Sequence, residues 1–247
     1  LASFSLTAHA LQHLITDDTG TQGAGGNQVE MLWMQDRAKA EGETQRASTL
    51  PFVYTRGVTE AIDLFAVVSY VRLRGDAASR SGAGNPSLGA KWRFYENEER
   101  GTSFAVKPEL LLPVSSTRER DGLGAGKTSG NLTFIVSQEM PFGAVHLNAG
   151  VGRERFDDRS ANSDATAQRF SLAPVWDVSE QWKLALDVGL ESVHAGGERV
   201  RSSFVEFGAV FSPDKNLDLA FGVLRTTNND SPKTRTDSVT AGLTWRF

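Results

Sequence analysis

The stretch Asp237-Ser-Val-Thr-Ala-Gly-Leu-Thr-Trp-Arg-Phe247 decides how the rest of the chain is read. From Ser238 onward, small or polar residues (Ser238, Thr240, Gly242, Thr244, Arg246) alternate with apolar ones (Val239, Ala241, Leu243, Trp245, Phe247). A period of two belongs to a strand whose two faces meet different surroundings. The stretch also ends on two aromatics of the apolar face, rings that sit well where apolar and aqueous surroundings meet.

The same alternation recurs upstream. Trp182, Leu184, Leu186, Val188 and Leu190 oppose Lys183, Ala185, Asp187, Gly189 and Glu191, and Val145, Leu147, Ala149 and Val151 oppose His146, Asn148, Gly150 and Gly152. Phe104, Val106, Leu110 and Leu112 oppose Ser103, Lys107 and Glu109, and Leu88, Ala90, Trp92 and Phe94 oppose Gly89, Lys91 and Arg93. Between these segments, turn chemistry at residues 56–60, 96–101, 140–143, 177–180 and 212–216 alternates with longer polar stretches near 37–45, 74–84, 114–129, 156–165, 193–200 and 227–235. Short turns on one side and longer loops on the other, around about twelve strands, are the signature of an all-β fold: a single antiparallel transmembrane β-barrel of the bacterial outer membrane, with both termini on the periplasmic side.

Alternation alone leaves open which face is outside, since an apolar-cored soluble barrel reads the same way inverted. The aromatics decide it. Tyr54, Phe94, Tyr95, Phe142, Trp176, Trp182, Phe211, Trp245 and Phe247 flank the short turns or the C-terminus, and Tyr70, Phe156, Phe170 and Phe204 lie near the loop ends, so two interfacial girdles are expected. Pro108 and Pro174 fall within strands, where each removes a ladder donor, and a bulge or a lost hydrogen bond is expected at each.

Composition agrees. The 247 residues contain no cysteine, so neither a disulfide framework nor a thiolate metal site is available. A net charge of −4 without a long basic run excludes a nucleic-acid partner. A mean hydropathy of −0.30 fits a membrane barrel, whose lipid face uses only alternate residues. Residues 1–10 read as the tail of a signal peptide with an Ala-x-Ala site at Ala8-His9-Ala10, which sets the mature start at Leu11. Residues 11–26, polar and glycine-rich, form a periplasmic segment, and 27–247 the barrel.

Several of these residues also carry a resemblance. Leu14-Ile-Thr-Asp-Asp-Thr-Gly-Thr-Gln-Gly23, Tyr54-Thr-Arg-Gly-Val-Thr-Glu-Ala-Ile-Asp-Leu64, Pro86-Ser-Leu-Gly-Ala-Lys-Trp-Arg-Phe94 and Asn148-Ala-Gly-Val-Gly152 resemble the outer-membrane transporter family named after the meta-cleavage pathway of phenol degradation. The similarity runs over most of residues 11–247. It implies a barrel that transports small molecules, with no shared substrate motif.

Three constellations invite chemistry. Gly122-Leu-Gly-Ala-Gly-Lys-Thr128 approaches a phosphate-binding loop, but Asp121 stands at the first glycine position and a strand pattern follows, so it reads as an external loop. Ser192-Val-His194 could place a nucleophile beside a base at the outer rim, as in a lipid hydrolase, but Glu191 faces the other way. The lumen-facing set carries the expectation: Glu30, Lys91, Arg93, Lys107, Glu109, His146, Asn148, Lys183, Asp187, Glu191, Glu206, Asp218 and Arg246 line a narrow tube with both signs of charge.

Twelve strands about 4.8 Å apart and tilted about 40° enclose a backbone cylinder roughly 24 Å across, leaving a gap of about 10 Å inside the side chains. Residues 11–26 are expected to enter that gap as a plug, Asp17 and Asp18 meeting Lys91, Arg93 or Arg246. The resulting expectation is a channel for passive uptake of small, aromatic or hydrophobic molecules, without cofactor or metal and not an enzyme. Its partners would be outer-membrane lipids and lipopolysaccharide, the solute itself, and the barrel-assembly machinery through Phe247. A lipid hydrolase and a structural or adhesion barrel without transport are the alternatives.

Overall fold

The computed structural model describes residues 14–40, 43–75, 79–158, 162–228 and 233–247, so the expected signal-peptide tail at 1–10 lies outside the described residues. The strands follow in order as β1 (Asn27–Ala40), β2 (Glu43–Thr59), β3 (Ile62–Arg74), β4 (Ser79–Ala83), β5 (Ser87–Asn97) and β6 (Thr102–Leu111). A short helix α1 (Ser116–Arg120) precedes β7 (Ser129–Met140), β8 (Gly143–Glu154), β9 (Ala165–Asp177), β10 (Trp182–Ala195), β11 (Glu198–Asp214), β12 (Leu217–Asn228) and β13 (Arg235–Arg246). Each strand pairs antiparallel with its neighbours in the wall, and β1 pairs with β13, from Gln28 opposite Arg246 to Lys39 opposite Arg235, which closes the ring. β4 and β5 both pair with β3, at opposite ends of it, so they form one stave broken at Gly84-Asn-Pro86. The result is a closed twelve-strand barrel.

The two faces divide as the alternation requires. Leu64, Val68, Leu88, Phe207, Phe221 and Val223 are exposed on the outside, while Asp63, Ser87, Asp187, Glu206, Thr240 and Thr244 are buried inside. A belt of exposed apolar side chains all round a closed sheet is a surface for hydrocarbon, since the backbone polar groups pair within the wall. No helix among the described residues is long and apolar enough to cross a membrane. Aromatic pairs mark the short-turn edge of the belt: Phe142 on Trp176 at 6.1 Å, Trp182 on Phe211 at 4.8 Å and Trp245 on Phe247 at 4.6 Å between ring centroids.

The structure corrects some of the expectations. Tyr70 and Phe170 do lie outside, but Phe204 is buried inside against Gly189 and Phe156 is buried in a loop, so neither belongs to a girdle. Strict alternation places Phe204 inward together with Glu206, and parity along the strand outweighs nearness to a loop. The register runs through Pro108 and Pro174 without a shift, and the irregularities fall instead at Gly57–Thr59, Arg93–Tyr95 and Phe211–Asp214. The loss at each proline is therefore confined to its missing donor. Two of the expected long loops, near 37–45 and 193–200, are mostly strand: β10 runs into β11 through Gly196 and Gly197, both at positive φ (59° and 85°), the backbone that a two-residue hairpin turn needs. Above the apolar belt both faces of a hairpin are polar, and its sequence looks like a loop.

Candidate functional site

The lumen is occupied by the chain's own N-terminal segment. Residues 14–26 run inside the wall before bending into β1. Thr16 and Asp17 are almost completely buried there, although both are polar and flank an irregular stretch. Burial of such groups is tolerated only when their hydrogen bonds are met, and successive residues of the segment find partners on different staves.

Leu14 packs with Ala173, Val175 and Ala185 of β9 and β10. Thr16 follows: its backbone N–H donates to Asp187 Oδ2 at 2.7 Å and its hydroxyl donates to Asp187 Oδ1 at 2.7 Å, with Ser171 Oγ at 2.6 Å. Asp17 is gripped from both sides. Lys91 Nζ of β5 donates to Oδ1 and Lys107 Nζ of β6 to Oδ2, each at 2.8 Å. Asn148 of β8, with its amide turned so that the oxygen accepts from the Asp17 N–H, donates to the Asp17 carbonyl at 2.9 Å. Lys107 also lies 5.0 Å from the ring centre of the inward Phe65.

Asp18 closes a turn by accepting from the Gly20 N–H at 2.6 Å. Burial works against its ionisation, but the Lys91 ammonium, then His146, the Gly20 N–H and Lys107 outweigh it and hold the carboxyl below its ordinary value of 3.8. Thr19 N–H donates to Ser137 Oγ at 3.0 Å, and the Ser137 oxygen lies 2.8 Å from His146 Nδ1. Thr19 Oγ1 shares a hydrogen bond with Ser103. Beyond it, Gln22 N–H donates to both Asp63 oxygens at 3.0 and 3.1 Å, Ala24 N–H donates to Glu60, and Gly25 N–H donates to the Gly57 carbonyl at 3.0 Å. Gly57 has no room for a side chain, because a Cβ there would collide with the Gly23 carbonyl.

Of the thirteen lumen residues named from the sequence, Lys91, Lys107, Asn148 and Asp187 hold the plug directly, and His146 does so through Ser137. Glu30, Glu109, Asp218 and Arg246 line a remaining cavity of about 250 Å³, together with Val53, Phe65 and Val67. Within it Arg246 Nη2 donates to Asp218 at 2.7 Å, and Glu109 accepts from Ser87 at 2.5 Å and from Asn131 at 3.2 Å. Glu191 pairs with Arg169, whose Nε donates at 2.9 Å. Glu206 is fully buried and both its carboxylate oxygens lack a hydrogen-bond partner among the described residues.

Two expectations change. Arg93 and Arg246 do not meet the plug: Arg93 donates to the Glu60 carbonyl and pairs with Glu96, and Arg246 is taken by Gln28 and Asp218. Asp17 does meet Lys91, as expected, and reaches Lys107 as its second partner. Lys183 sits half exposed at the short-turn rim, bound to Asp177 at 3.1 Å, outside the lined passage. Residues 122–128 form a loop, as the sequence suggests, with Lys127 bound to Asp157 at 3.1 Å and β7 following directly. As for Ser192, its hydroxyl accepts from Arg199 Nε at 2.8 Å, while His194 lies two residues along the same strand. Among the described residues no group of three His, Asp or Glu side chains could hold a metal. The small inward hydroxyls Ser103, Ser137 and Ser171 are not singled out by the sequence; their signal is only their parity on the polar face.

Solved structures with this fold are outer-membrane barrels. An outer membrane channel from Pseudomonas putida F1 superposes with a TM-score of 0.75 at 15% identity, covering 93% of this chain and 98% of that one. The translocator domain of the autotransporter NalP from Neisseria meningitidis gives 0.56 at 14% identity over 93% and 91%. The CymD monoaromatic hydrocarbon channel gives 0.51 at 8% identity over 91% and 89%. No curated protein matches the chain in sequence. The family described as "Putative MetA-pathway of phenol degradation" matches residues 12–247, and the chain belongs to it.

Proposed function

We propose that this barrel is an outer-membrane channel for passive uptake of small aromatic or hydrophobic molecules, with its long loops outside the cell and both termini in the periplasm. The observation that carries the reading is the Asp17 latch: a carboxylate held inside the lumen by lysines of two adjacent strands, on a segment that precedes β1 and is no stave of the wall. A structural barrel needs such a segment only as filling. A channel gains a closed resting state.

The space beside the latch suits the solute class. A cavity of about 150 Å³ admits benzene, and about 250 Å³ remains here with Val53, Phe65 and Val67 on one wall. The family's association with phenol degradation and the fold shared with a monoaromatic hydrocarbon channel favour the same class. Uptake of radiolabelled phenol and benzoate by a porin-deficient Gram-negative strain tests it: expression of this chain should accelerate entry severalfold over an empty vector. Equal rates for both strains, with the barrel folded in the membrane, would sink the proposal.

A further inference from the structure

On the outside of β1, β2 and β3, just beyond the apolar belt, the wall changes abruptly to arginine. Along β1 the outward series runs Trp33, Gln35, Arg37, Lys39; along β2 it runs Phe52, Leu50, Ser48, Arg46; along β3 it runs Val68, Tyr70, Arg72, Arg74. Register brings the cations into one row, since Arg37 stands directly opposite Arg46 and Arg46 directly opposite Arg74. All five are exposed, and none forms an ion pair among the described residues. The nearest carboxylate across the β1–β13 pair from Arg37 is Asp237, which is already held by Arg225 at 2.7 Å and Arg235 at 3.0 Å.

Like charges directly opposite on neighbouring strands destabilise a sheet. A row of three without a free counter-charge among the described residues is therefore a cost the wall bears unless something anionic lies against it. Its height says what that is. Four residues along a tilted strand rise about 10 Å, so Arg37, Arg46 and Arg74 sit about that far above Trp33, Leu50 and Tyr70, with Gln35, Ser48 and Arg72 between, at the level of a lipid's headgroup rather than its acyl chains. Arginine forks match phosphate oxygens two at a time.

We infer that Arg37, Arg46 and Arg74, supported by Lys39 and Arg72, form a docking site for the phosphorylated sugar headgroup of a lipid A molecule, with its acyl chains on the apolar wall below. The inference rests on the long-loop end facing the outer leaflet, which surface labelling of a Ser116→Cys variant in intact cells reads separately.

The test compares thermal unfolding of the full chain in phosphatidylcholine vesicles with and without 5 mol % lipid A, followed by heat-modifiable gel mobility. Lipid A should raise the midpoint for the wild type and for Arg37→Lys/Arg46→Lys/Arg74→Lys. The shift should vanish in Arg37→Gln/Arg46→Gln/Arg74→Gln, which without lipid A should be at least as stable as wild type because the repulsion is gone. Loss of the shift with dephosphorylated lipid A, or at 1 M salt, supports the site. An equal shift in the glutamine variant, or with phosphatidylglycerol or free inorganic phosphate in place of lipid A, overturns it.

Discussion

Lys107 Nζ lies 2.8 Å from Asp17 Oδ2, although 90 positions separate the two residues in the chain. The contact ties the N-terminal segment to the wall, and Lys91 completes the grip on the other oxygen. Removing one partner of a buried ion pair costs about 3–5 kcal/mol, because the remaining charge stays in a poorly hydrated place. Asp17→Asn leaves two ammonium groups facing an amide. Its expected effect is a looser plug and a severalfold higher open probability in planar bilayers, with barrel strands intact by heat-modifiable mobility.

Replacing Leu186 by Arg should harm the barrel more than replacing its neighbour Asp187 by Asn. Leu186 shares the outer face with Phe207, directly across the β10–β11 pair, and an arginine on the lipid face near the midplane costs about 2–4 kcal/mol. Asp187→Asn keeps the shape and loses the charge that accepts from Thr16. Urea unfolding from lipid vesicles should rank Leu186→Arg as the less stable variant, and bilayer recordings should show the larger change in conductance for Asp187→Asn.

Acid should loosen the plug through Asp18, and the direction follows from its depressed pKa. A carboxyl whose folded-state value lies below 3.8 contributes stability that is fully present above 3.8 and is lost as pH falls through the lower, folded value. The difference in conductance between wild type and Asp18→Asn is therefore expected to stay constant from pH 8 to pH 5 and to shrink only below about pH 4. A difference that disappears near neutral pH would contradict a carboxyl held below its ordinary value by Lys91 and its neighbours.

Gly89 gives a packing test. A Cβ at this position would strike the tip of the inward Phe65 ring and approach the Pro108 carbonyl, which is backbone and has little freedom to move. Gly89→Ala should destabilise the barrel by about 1–3 kcal/mol, the usual cost of overfilling a packed site. Adding Phe65→Leu should return part of that loss and leave the part owed to the carbonyl, a non-additivity that a double-mutant cycle in vesicles measures.

The fold is legible because a lipid-facing barrel repeats one rule at every second residue. The pattern from Ser238 to Phe247 and from Trp182 to Glu191 assigns inside and outside correctly, and Phe204 goes astray only when its position near a loop is given more weight than its parity. The hairpin at Gly196 and Gly197 stays hidden because strands that rise beyond the apolar belt carry polar residues on both faces. Of the lumen, the charged residues announce themselves, but their partners do not. Whether Asp17 meets Lys107 or Arg246 depends on how deep residues 14–26 travel, and depth is set by Thr16 on Asp187 and Thr19 on Ser137, hydroxyl and backbone contacts that leave no trace in spacing.

The most direct measurement is single-channel conductance of the chain with residues 11–24 deleted, beside the full chain, in the same planar bilayer and salt. If the N-terminal segment is the stopper of a channel, the deletion should raise conductance severalfold, and a synthetic peptide of residues 11–26 added back should lower it again, less so when it carries Asp17→Asn. Unchanged conductance in a folded, heat-modifiable deletion barrel would contradict the account and leave the lumen closed by its wall alone.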